Sequence, residues 1–60
     1  MSNIKDDLKL QAKTLLGDSY TLLRSLRALE NASQLRVLVT AEKTIRAIEK
    51  LVREVEELIV

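Results

Sequence analysis

Apolar residues recur along almost the whole chain in alternating steps of three and four, with one interruption. Residues spaced this way share one side of an α-helix, so each run predicts a long helix with a seam facing a partner helix. We expect both runs to form the core of the assembled protein. The first run is Leu8, Ala12, Leu15, Ser19, Leu22, Leu26 and Leu29, and the second is Leu38, Ala41, Ile45, Ile48, Val52, Val55 and Ile59.

The interruption, Asn31-Ala32-Ser33, predicts a turn between the two helices. Asn tolerates the backbone conformations at a helix C-terminus, and the Ser33 hydroxyl can cap the next helix. At the other end, Ser2 or Asn3 can cap the first helix. The sequence thus predicts an all-α fold, a two-helix antiparallel hairpin with helices at about 3–30 and 33–59 within a single domain, 1–60.

A second interpretation places a break near Gly17, because Gly is a common helix stop and Asp18 or Ser19 a common start. The chain would then form three helices. The heptad keeps its phase across Gly17, from Leu15 to Leu22, and a turn has no reason to preserve that phase. The phase favours a continuous helix, in which Gly17 costs about 1 kcal/mol relative to Ala. A kink at Gly17 stays open.

The apolar surface is wider than a two-helix seam requires. Further apolar residues flank the seam of each helix, and a lone hairpin would leave most of them in water, which is typical of an interface. The simplest closure is a homodimeric four-helix bundle, and another helical protein is the alternative partner. In an antiparallel hairpin the two flanks are expected on opposite sides, so the helix order stays open, and a trimer or larger assembly is a further alternative. The flanking residues are Leu16, Leu23, Leu51 and Leu58, accompanied by Val37 and Thr44.

Composition supports assembly over chemistry. A 60-residue chain is small for a stable core, and small domains commonly need disulfides, metals or oligomerisation. The chain has no Cys and therefore no thiolate. It also has no His, which is the commonest metal ligand and the commonest general base. We therefore expect no enzyme, catalytic residue, cofactor or metal site. A net charge of +1, the absence of a long apolar run and the lack of a signal-peptide core predict a cytoplasmic protein without membrane contact.

Two charged patterns remain to be assigned. Glu42, Glu49 and Glu56 recur every seven residues beside the seam, where glutamates commonly form interhelical ion pairs. We expect Lys9 to approach Glu56. Basic residues and the sole aromatic residue also mark the outer face of helix 1. They are read either as a solvated face or as a stripe that binds nucleic acid, in which Tyr stacks on a base. The stripe consists of Lys9, Lys13, Tyr20, Arg24 and Arg27.

The leading hypothesis is a non-enzymatic helical oligomerisation or scaffold module that acts through protein–protein contact. Regular heptads in a restricted alphabet are also typical of designed bundles, whereas Gly17 and the outward Leu10 favour a natural origin. The alternative function is a small RNA- or DNA-binding regulator that uses the basic stripe of helix 1.

Overall fold

A computed structural model describes residues 3–29, 31 and 33–59, and this part of the chain contains two α-helices and no strand. Helix α1 spans Ile4–Arg27 and helix α2 spans Gln34–Leu58. Lys13, in the first half of α1, pairs with Glu56 near the end of α2. Arg27, at the end of α1, pairs with Glu42 in the first half of α2. The helices are therefore antiparallel, and the predicted helical hairpin is confirmed.

Helix α1 begins as the sequence predicts. Asn3 is the capping residue, and its side-chain oxygen accepts a hydrogen bond from the Lys5 backbone N–H at 3.0 Å. Asp6 and Asp7 lie in the first turn, where negative charge interacts favourably with the helix dipole. Ser2, the other predicted cap, lies outside the described residues.

The connection between the helices differs from the prediction. Helix α1 ends at Arg27, about three residues early, and Ala32 of the predicted turn lies outside the described residues. The Ser33 hydroxyl caps no backbone N–H and instead donates to the Asn31 side chain at 3.0 Å. Gln34 takes over the connecting role: its amide nitrogen donates to the Leu26 carbonyl at 3.1 Å, and its oxygen accepts from the Asn31 N–H. The Leu26 carbonyl also accepts the Leu29 backbone N–H at 3.2 Å, so the Gln34 amide adds a second hydrogen bond at the end of α1.

The alternative of three helices broken near Gly17 is wrong, because α1 continues through this residue. Gly17 does not have a positive φ, so its backbone conformation does not require glycine. A Cβ atom built at Gly17 would meet nothing within 4 Å. The residue is therefore a tolerated exposed glycine and not a point of close helix approach.

The core of the hairpin is thin. Only Leu23, Ile45 and Val52 are buried among the described hydrophobic residues, with 7%, 6% and 9% of their surfaces exposed. On α2 the buried and half-buried apolar positions follow the predicted seam. On α1 the seam consists of five residues of which Leu23 is buried and the others are half-buried: Ala12, Leu16, Ser19, Leu23 and Leu26.

Within the hairpin, alternate residues of the predicted α1 run do not pack against α2, and their place in the core of the assembled protein stays a prediction. Leu16 and Leu23, expected as flanking residues, pack against α2, whereas Leu15 and Leu22, expected in the seam, are exposed. Leu8 and Leu29 are exposed as well. The sequence offers two adjacent rows of leucines, and the helix is rotated so that the row containing Leu23 faces inward.

Replacing Gly17 by Ala should raise the free energy of unfolding by about 1 kcal/mol, because Ala restricts the unfolded chain and fits the helix. For a domain of this size that corresponds to a rise in the thermal midpoint of about 4–8 °C. Circular dichroism measures the midpoint, and Thr14→Gly, at another exposed position of α1, is the control expected to lower it. A lower midpoint for Gly17→Ala would show that the helix needs glycine there.

Candidate interaction surface

One edge of the hairpin is closed by polar contacts, which we call the polar edge. Tyr20 donates a hydrogen bond from its hydroxyl to Glu49 Oε2 at 2.7 Å. Arg27 Nη2 lies 3.0 Å from Glu42 Oε1, and Lys13 Nζ lies 3.9 Å from Glu56 Oε1. The contacts recur every seven residues on both helices, so the predicted glutamate row lies beside the seam and bridges to α1.

These contacts align the helices more than they stabilise them. The ion-paired side chains are substantially exposed, and exposed pairs contribute about 0.2–1 kcal/mol each. Glu56 pairs with Lys13 and not with Lys9, which corrects the predicted partner. The cause is the rotation of α1: with Leu16 and Leu23 inward, it is the row of Lys13, Tyr20 and Arg27 that borders α2.

The pKa of Tyr20 lies above the usual value of about 10. The main cause is the hydrogen bond to Glu49, which only the protonated hydroxyl can donate, and partial desolvation and the negative charge of Glu49 add to it. The hydrogen bond therefore favours the folded chain below the ordinary tyrosine pKa, and this contribution disappears as the pH rises through the raised value.

The residues of the basic stripe are divided between this edge and the outer surface. Lys13, Tyr20 and Arg27 each contact a glutamate of α2, Lys9 borders the same end of the hairpin as Glu56, and Arg24 lies in the last turn of α1. Carboxylates beside the stripe lower the positive potential that phosphates would meet. Nucleic-acid binding stays a prediction, and the geometry does not favour it.

The opposite edge is apolar and lacks such polar bridges among its described residues. Leu15 and Leu22 each come one residue before a seam residue, Leu16 or Leu23. One residue corresponds to about 100° around the helix, and this rotation points away from the polar edge. Leu22 is 59% exposed, whereas the neighbouring Leu23 is 7% exposed. Equivalent exposed positions recur every seven residues on α2. We call this surface the open face, which consists of Leu8, Leu15, Leu22, Val37, Thr44, Leu51 and Leu58.

A groove of about 370 Å³ lies on the open face near the loop end of the hairpin. Leu22 of α1 and Val37 and Thr44 of α2 line it together, which places both exposed rows on the same side of the molecule. Small side chains between them leave the hollow, and Arg36 lines it from the α2 side. The complete lining is Ser19, Leu22, Leu26, Arg36, Val37, Thr40, Ala41, Thr44 and Ile45.

This placement resolves the conflict in the sequence pattern. The predicted seam left the flanks of the two helices on opposite sides, which gave no common surface for a partner. With Leu16 and Leu23 in the seam, the unpacked leucines of α1 and the flank of α2 share one face. The apolar spacing did not reveal that Leu15 and Leu22 lie on the open face of the hairpin and not in its seam. The signal that could have revealed this rotation is the polar row of Lys13, Tyr20 and Arg27, whose spacing matches that of the glutamates on α2.

The hairpin exposes more surface than a compact chain of its mass. Its Cα radius of gyration is 14.4 Å, compared with about 10 Å for a compact domain of 60 residues. Its accessible surface is 5050 Å², compared with about 4,000 Å² for a typical folded protein of 6.8 kDa. The Cα atoms extend over 48 × 19 × 9 Å, so the molecule is one helix thick.

Comparisons with protein-family models, curated proteins and solved structures found no match to the chain. Among the described residues, no group of three or more His, Cys, Asp or Glu side chains is arranged to hold a metal ion. Neither α1 nor α2 contains a segment apolar and long enough to cross a bilayer. The surface geometry is therefore the main guide to function.

Replacing Glu49 by Gln should lower the pKa of Tyr20 toward its ordinary value, because the charged acceptor is removed. Tyr20 is the only Tyr and the chain has no Trp, so the ultraviolet absorbance of the phenolate reports this residue alone. Glu56→Gln, which removes a carboxylate from the same row but not from Tyr20, is the control. An unchanged Tyr20 pKa in Glu49→Gln would contradict the observed polar edge.

Proposed function

We propose that the chain is a helical oligomerisation module that pairs with a second copy of itself through the open face to form a four-helix bundle. The observation that carries the proposal is the division of the hairpin into two edges. Polar contacts close one edge, whereas apolar residues of both helices are exposed together on the other. The function is then protein–protein contact, not chemistry at a pocket.

The excess surface supports a second copy as the occupant. The chain exposes roughly 1,000 Å² more than a compact protein of its mass. A standard protein–protein interface buries about 800 Å² on each partner. Covering the open face of each hairpin with the other therefore removes about the amount of surface that a stable dimer requires.

Symmetry also supports closure at two copies. A homodimer about a two-fold axis uses the same patch on both subunits, so one apolar face per chain suffices. In the described part of the chain, the polar edge carries exposed charges on both helices and does not repeat the apolar rows of the open face. The proposal therefore specifies a dimer and not an open fibre or a larger ring.

Substitution of Leu22 or Leu51 by Lys should dissociate the dimer, because each places a charge in the middle of the open face. Leu10→Lys is the matched control, since Leu10 is 65% exposed but lies outside the open face. Sedimentation equilibrium at micromolar concentration should give twice the chain mass for the wild type and for Leu10→Lys. It should give the mass of one chain for the other two variants.

A wild-type chain that is folded and monomeric at micromolar concentration would contradict the proposal. Equal dissociation by all three substitutions would show that the open face is not the contact. A monomer that gains mass only with a different helical protein would assign the face to that partner and overturn self-association.

A further inference from the structure

The open face is not uniform along its length. The loop half is hollow, because Ser19, Ala41 and Thr44 present small side chains to the groove. The other half, toward the chain ends, carries Leu8, Leu51 and Leu58, and Leu58 is 77% exposed. One half of the face is thus a depression and the other half a row of projecting leucines.

Two hairpins that pack face to face about a two-fold axis have two possible orders, which differ in whether the two loops lie at the same end of the bundle or at opposite ends. If their loops lie at the same end, each hollow faces a hollow and each leucine row faces a leucine row. Facing hollows leave voids whose lining loses dispersion contacts, which packed interiors avoid. If the loops lie at opposite ends, the leucine row of each copy enters the hollow of the other.

Charge distinguishes the two orders in the same direction. Arg36 lines the groove near the loop, whereas Glu54 and Glu57 lie in the last turns of α2, in the segment that contains Leu51 and Leu58. Loops at opposite ends place these carboxylates near the arginine of the other copy. Loops at the same end leave Arg36 at the opposite end of the bundle from these carboxylates, so that order lacks the favourable pairing.

Resting on the proposed self-association, we infer that the two hairpins pair with their loops at opposite ends, so that the Leu51–Leu58 segment of each α2 fills the groove of the other copy. The two α2 helices then run antiparallel across the interface. Thr44 lies opposite Leu51 of the second copy and Val37 lies opposite its Leu58. Each small or medium side chain meets a leucine, which is how facing layers interdigitate.

A distance measurement tests the order of the loops. The chain contains no Cys, so Ser33→Cys accepts a single nitroxide label at the loop end. Ser33 lies about 14 residues from the middle of the α2 contact, and at about 1.5 Å per residue the two labels of the dimer should be about 40–45 Å apart. With loops at the same end they would lie within about 25 Å, because helix axes in a bundle are about 8–10 Å apart. A label at Arg46→Cys, near the middle of α2 and on its outer side, is the control that should give a similar distance in either order.

A charge exchange tests the contact itself. Arg36 and Glu57 are 21 positions apart on α2, or about 31 Å, so they cannot touch within one chain. Arg36→Glu and Glu57→Arg should each raise the dimer Kd roughly three- to thirtyfold, since each affects two symmetry-related contacts. The double variant should return to within about threefold of the wild type. The control, Arg46→Glu combined with Glu57→Arg, should show no recovery.

The outcomes separate this inference from the function on which it rests. A monomer in sedimentation equilibrium overturns both. A dimer whose Ser33 labels lie within about 25 Å overturns the opposite-end order and leaves self-association standing. If the Ser33 labels are far apart but the effects of Arg36→Glu and Glu57→Arg on the dimer Kd simply add, the contact between Arg36 and Glu57 of the second copy is overturned. Long distances with recovery in the double variant support the inference as stated.

Discussion

Leucines occupy two adjacent rows of α1, and only one row can face α2. The contacts of Lys13, Tyr20 and Arg27 with the three glutamates of α2 occur when Leu16 and Leu23 face inward. Each contact is weak because it is exposed, but together they select one rotation of α1 over the other. That rotation exposes Leu15 and Leu22 on the same side as the unpacked residues of α2.

The second constraint is the size of the core. Three buried side chains and a layer of half-buried ones give the single hairpin little burial to set against the conformational entropy lost in ordering two helices of more than twenty residues. A hairpin one helix thick has no second layer to bury its apolar stripe against. In the proposed bundle a second copy supplies that layer, so the proposal rests on this need as much as on the shape of the open face.

Much of the fold was predictable from the sequence. The heptad spacing predicts both helices and their continuity through Gly17, and the seam of α2 lies where the pattern places it. The seam of α1 was not predictable from apolar spacing alone, because two leucine rows satisfy the same heptad. The contact of Gln34 with the Leu26 carbonyl, at the end of α1, crosses the loop and leaves no local signal. The groove depends on residues from both helices, so it emerges only once their rotation is known.

The central claim is that folding and pairing are one process, because a single hairpin has too little core to stand alone. The most direct test is the thermal midpoint of the wild-type chain, followed by circular dichroism over a wide range of protein concentration. The midpoint of a folded dimer rises with concentration by mass action. A rising midpoint with a single cooperative transition is the predicted result. A cooperative transition whose midpoint does not depend on concentration would contradict the account.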